Sequence, residues 1–168
     1  MKEKGSKFYY CTDKKCISIF ESSASHPEHL NQLEKIPSSL SDEFLFIEKL
    51  GAGATGVVFK IFDVSEEKTK ALKIIKVENP EEMKKELNIL YELHHKGIVT
   101  YFRSGILKNN KVYIIMEECE ADLGSYLEKN KANLSYNDKI NLFLKICEGI
   151  NYIHHHKNVI YFSIRFFI

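Results

Sequence analysis

Three glycines, Gly51, Gly53 and Gly56, stand between two apolar runs at residues 44–50 and 57–62. The second run, VVFKIF, is β-branched and aromatic and offers no helix start. A dinucleotide-binding turn would lead from its third glycine into a helix. This chain therefore reads as strand, glycine-rich turn, strand. Two readings of that hairpin are open. It is a simple turn of small residues, or its backbone closes over a triphosphate, since glycine N–H groups approach phosphate oxygens with no Cβ in the way.

The 168 residues suit one domain with a small extra module. Hydrophobic residues at 44% predict a packed core, and a net charge of +1 argues against bulk attraction to nucleic acid or to an anionic membrane. No apolar run approaches the ~18 residues of a membrane-spanning helix. The start, MKEKGSKFYY, lacks the apolar stretch of a secretory signal. Four cysteines are too few for a disulfide framework in a chain of this length. The expectation is a soluble, reduced, cytoplasmic protein with neither nucleic acid nor membrane as partner.

Residues 1–42 read as a tail or small module followed by a Ser-rich linker at 37–41, and residues 43–168 as the main domain. After the hairpin, KALKIIKV is a third strand at 70–77. Asn79, Pro80 and Glu82 open a helix as cap, first-turn proline and capping-box partner. Met83, Leu87, Leu90 and His94 follow at helical spacing, with the helix closing at 94–97. Strands at 98–107 and 111–116 flank a turn at 108–110. Asp122 caps a short helix, and Ser135 with Asp138 starts a long one carrying Ile140, Phe143, Cys147, Ile150 and His154 on one face.

Taken in order, these segments resemble the eukaryotic protein kinase family, serine/threonine type. The residues carrying the resemblance are Gly51-x-Gly53-x-x-Gly56-x-Val58, Ala71-Leu72-Lys73, a helix with Glu86 continuing ELNILYELHHKGIV, the strand VYIIMEEC, DLGSYL from Asp122, and GINYIH ending at His154. The resemblance runs from about Phe44 to Arg165. It implies an α+β fold: a kinase-like N-lobe of five antiparallel strands plus the family's αC helix, then the αD and αE helices of an incomplete C-lobe.

It also implies a nucleotide site for ATP. Gly51, Ala52, Gly53 and Gly56 would cover the phosphates and Lys73 would hold them, with Glu86 as its ion-pair partner. Val58 and Ala71 would sandwich the adenine, and Met116 would be the gatekeeper. Glu117 and Cys119 would offer backbone groups to the adenine edge. Leu90 would pack toward the regulatory interior. Ordinary core packing is the competing reading of Val58, Ala71 and Met116, and a solvated strand lysine that of Lys73.

The resemblance breaks in the catalytic loop. Tyr161, Phe162 and Ser163 stand where the family has His, Arg and Asp. Serine carries no charge with which to steer the proton of a substrate hydroxyl. The Mg²⁺-binding Asn and the Asp-Phe-Gly segment do not follow. The expectations are a chain without phosphotransfer, an inactive or pseudokinase-like nucleotide-binding scaffold, or an incomplete reading of a full kinase gene. The apolar face of the long helix, lacking a complete helical lobe, would expose a surface for a protein partner.

In the tail, Cys11, Cys16, His26 and His29 have the ligand count for one tetrahedral zinc, in a spacing weakly like a degenerate B-box finger. Two free thiols in a polar tail are the other reading.

Overall fold

The computed structural model describes residues 8–13, 16, 18–21, 33–53 and 56–157. Its centre is a five-stranded antiparallel sheet of β4 (Phe44–Gly53), β5 (Gly56–Asp63), β6 (Lys68–Lys76), β7 (Tyr101–Leu107) and β8 (Lys111–Met116), ordered β4-β5-β6-β8-β7. The glycine-rich segment joins β4 to β5, with Gly53 opposite Gly56. Strict alternation in β5 buries Val57, Phe59, Ile61 and Asp63 on one face and turns Val58 to the other. The β7–β8 hairpin turns at Asn109 and Asn110, whose φ values of 61° and 53° are left-handed conformations that Asn tolerates.

The chain between β6 and β7 forms α2 (Pro80–Leu90). Asn79 accepts the N–H of Glu82 on its side chain, as the capping pattern predicts. The helix is shorter than its sequence spacing suggests. It ends at Leu90, and residues 91–92 turn. Leu93 enters the core, whereas His94 is exposed and gives its N–H to the Tyr152 hydroxyl. Likewise the strand expected from residue 98 begins only at Tyr101, because Ile98 is spent on the core beside Leu87, Leu90 and Val112.

Two helices follow. In α3 (Leu123–Asn130), Asp122 accepts the Ser125 N–H. In α4 (Tyr136–Lys157), Ser135 and Asp138 cap reciprocally, the Asp138 N–H donating to Ser135 Oγ and the Ser135 N–H to Asp138 Oδ2. Gly149 and Ile153 face inward, while Ile140, Phe143, Cys147 and Ile150 lie exposed. Among the described residues no helix is long and apolar enough to cross a membrane.

Part of the N-terminal stretch folds onto the sheet. β1 (Tyr9–Cys11), β2 (Ile19–Phe20) and β3 (Leu33–Lys35) make a three-stranded sheet, β2-β1-β3. The Ser-rich stretch read as linker is instead the short helix α1 (Ser38–Ser41), with Leu40 buried. Tyr10, Ile36 and Leu40 share one core cluster with Phe44, Phe59, Ile61, Leu72 and Ile115. The five-stranded sheet thus has two covered faces, one under this N-terminal segment and the other toward α2.

Candidate nucleotide cleft

The α2 side of the sheet opens into a cleft of about 450 Å³. Strand register builds it. Val58 on β5 and Ile114 on β8 both stand opposite Lys73 on β6, and Met116 stands opposite Ala71. With a period of two, Ala71 and Lys73 share one face, as do Ile114 and Met116. Gly51, Ala52, Gly53, Gly56, Val58, Ala71, Lys73, Met116, Glu117 and Cys119 all line the cleft. Glu86 does not. It sits half-buried on α2. Leu90 is buried with Leu87, Leu93 and Ile114.

The glycines differ in what holds them. Gly56 has φ +118°, and a Cβ on it would meet the Ile74 carbonyl oxygen at 2.1 Å, so only glycine fits. Gly51 and Gly53 have nothing within 4 Å of such a Cβ. Packing does not require glycine at either place. Their backbone faces open cleft space that a ligand can approach without a side chain between.

The back of the cleft is apolar, with Ala71 and Met116 buried. Its rim is the extended stretch after β8. The Glu117 N–H donates to the Thr100 carbonyl at 2.8 Å and the Glu117 carboxylate accepts the Thr100 N–H at 3.2 Å, so a ligand can draw only on the Glu117 carbonyl. Glu118 ties the rim to β5 through Lys60 at 2.6 Å. Burial would raise the Glu118 carboxyl, but hydrogen bonds from Lys60 and Thr69 outweigh it and hold the group below its ordinary range. Burial pushes the Cys119 thiol up, and the charges of Glu117 and Glu118 push it the same way.

Several lining residues escape a reading of the sequence by motif. Leu50, Val99, Tyr101, Ile114 and Asp122 also face the cleft. Ile114 was reachable by alternation from Met116. Tyr101 was not, since it comes in through the pairing of β7 with β8, which sets it opposite Met116, and Val99 lies just ahead of that strand.

A sequence profile described as protein kinase domain matches residues 44–165. The chain belongs to the protein kinase family. Among the similar proteins, serine/threonine-protein kinase Nek10 of Mus musculus is 28% identical over 156 residues, covering 82% of this chain and 14% of that protein. Cyclin-dependent kinase G-1 of Oryza sativa subsp. indica is 32% identical over 119 residues, covering 67% of this chain and 17% of its own length. Serine/threonine-protein kinase dst1 of Dictyostelium discoideum is 33% identical over 115 residues, with 67% and 16% covered. The chain thus spans less than a fifth of the length of these relatives.

Within this kinase domain, Ser163 and Arg165 lie outside the described residues, as do Ala54 and Thr55 of the glycine-rich turn. His26 and His29 of the suggested zinc set also lie outside them. Of the other two, Cys11 is buried and Cys16 half-buried. Among the described residues no three His, Cys, Asp or Glu side chains gather as a metal site.

Proposed function

We propose that the cleft binds ATP, and that this chain does so without carrying phosphoryl transfer on the residues of its own sequence. The observation that supports binding is the convergence of the open-backed Gly51 and Gly53, the Lys73 ammonium and the apolar Ala71–Met116 wall on one cleft. Its volume of about 450 Å³ falls in the roughly 300–1,000 Å³ range of small-molecule sites.

Each group has a physical role. The glycine backbone lies over the phosphates. Lys73 would neutralise their charge, and Glu86 on α2, which stands outside the cleft lining, would be the carboxylate that orients it. Val58 and Ala71 enclose the flat base from one side, Met116 limits the depth of the cleft, and the Glu117 carbonyl and the Cys119 backbone meet the polar edge of the base. The reaction of the family is ATP-dependent phosphorylation of protein Ser or Thr. Ser163 at the place of the family's Asp argues against it here, since a neutral hydroxyl cannot accept the substrate proton.

Two measurements test the proposal. Titration with a non-hydrolysable ATP analogue gives saturable binding that Lys73→Ala abolishes. Incubation with ATP, Mg²⁺ and a generic Ser/Thr peptide gives no phosphopeptide. Turnover that disappears in Lys73→Ala would refute the second half of the proposal, and absence of analogue binding would refute the first.

A further inference from the structure

Lys49 is a side chain that a nucleotide cleft does not by itself explain. It lies on β4 just ahead of Gly51, yet it is only 1% exposed. A lysine in the interior is costly unless its ammonium is hydrogen-bonded. Here Nζ donates to the Cys11 carbonyl at 2.8 Å and to the Asp13 carbonyl at 2.5 Å. Both acceptors belong to the N-terminal segment, at the end of β1 and in the turn after it.

That segment is fastened to the sheet elsewhere too. The Tyr10 ring meets Phe59 of β5 edge-on, with centroids 5.0 Å apart. Glu34 of β3 pairs with Lys111 of β8 and accepts a hydrogen bond from the Tyr10 hydroxyl. Ile36 and Leu40 are 0% and 1% exposed in the shared core. The segment therefore straps the back of the sheet from β4 to β8, and Lys49 is its polar tie to the strand that carries the first two glycines.

β4 is the strand most in need of such a tie. It is an edge strand, paired only with β5 in its sheet, and its ladder slips between Phe46 and Glu48 and again between Lys49 and Gly51. Each irregularity removes regular pairing and bends the strand locally. The second falls directly before Gly51, where glycine adds backbone freedom of its own.

We infer that Lys49 is a positioning residue for the glycine-rich segment. By tying the carbonyls of Cys11 and Asp13 to β4, it holds the backbone of Gly51 and Gly53 in the arrangement that receives phosphate. The inference rests on the nucleotide reading of the cleft and extends it to a part of the chain outside the kinase match.

The test uses the full chain with Lys49→Met and Lys49→Arg. Two quantities are read, the Kd of a non-hydrolysable ATP analogue and the amide hydrogen exchange of residues 50–53 without nucleotide. In Lys49→Met the Kd rises roughly ten-fold and exchange at 50–53 quickens, as expected when a preorganised site must be reordered on binding. Lys49→Arg, whose guanidinium still reaches two carbonyls, stays within about three-fold of the parent. An unchanged Kd in Lys49→Met overturns the inference. So does a Lys49→Arg as weak as Lys49→Met, which would mark general damage to the core. If Lys49→Met does not fold, Glu34→Gln loosens the strap at its far end. Exchange at 50–53 then quickens if the strap positions β4, and unchanged exchange overturns the idea. A parent chain that binds no analogue refutes the nucleotide reading instead, and the exchange measurement still decides the strap.

Discussion

A Cβ built on Gly56 would stand 2.1 Å from the carbonyl oxygen of Ile74, closer than any real side chain approaches a backbone atom. Gly56 also holds φ +118°, a conformation L-residues rarely adopt. Gly56→Ala is thus expected to lower stability by several kcal/mol, on the order of 2–4, from clash and strain together. Gly51→Ala meets nothing within 4 Å and should cost less than about 1 kcal/mol. Chemical denaturation of the two variants checks the contrast, and equal losses would show that the Ile74 carbonyl does not select glycine at position 56.

Nucleotide binding should be visible as stabilisation. A ligand at 100 times its Kd adds about 2.7 kcal/mol to the folded state. The melting temperature of the parent chain is expected to rise with an ATP analogue, and that of Lys73→Ala to stay flat at the same concentration. Equal upward shifts in both proteins would place binding away from Lys73.

Asp63 gives the sheet a dependence on acid. Its carboxyl is lowered from 3.8 to about 2, first by the Ser65 hydroxyl, with burial opposing and the Lys70 ammonium adding to the lowering. A carboxyl depressed on folding contributes stability that is complete above its unfolded value and is lost as pH falls through the folded one. Stability should therefore decline between about pH 4 and pH 2. Asp63→Asn should cost about 1–3 kcal/mol at pH 7 and make that decline shallower. Urea midpoints measured across this window decide it, and a variant declining as steeply as the parent would sink the assignment.

The two faces of α4 should respond differently to substitution. Ile153 is 2% exposed beside Leu93 and Leu87, so Ile153→Ala is expected to cost about 2–4 kcal/mol. Phe143 is 64% exposed, and Phe143→Ser should change stability by less than about 0.5 kcal/mol. Comparable losses in both variants would mean that Phe143 is covered in solution.

The glycine-rich hairpin, the caps of α2, α3 and α4 and the Asn109–Asn110 turn were all legible in the sequence, because each depends on partners within a few residues. The period of two along β6 likewise suffices to put Ala71 with Lys73 on one face. The shorter α2 was not legible, since Leu93 obeys the helical spacing no better than His94, and packing against α4 chose it for the core. The inward face of α4 was equally hidden, because its apolar residues run nearly all round the helix and only the neighbouring loop decides which are covered. Lys49 is the clearest case. By itself it reads as one more solvated lysine in a lysine-rich chain. Its burial follows from carbonyl oxygens 38 and 36 residues away, brought over it when Tyr10, Ile36 and Leu40 joined the core. Local chemistry set the elements and the nucleotide-facing row. Only the tertiary fold decided that the N-terminal segment would bear on the strand that carries the glycines, because that contact is made by residues with no pattern in common until the sheet exists to bring them together.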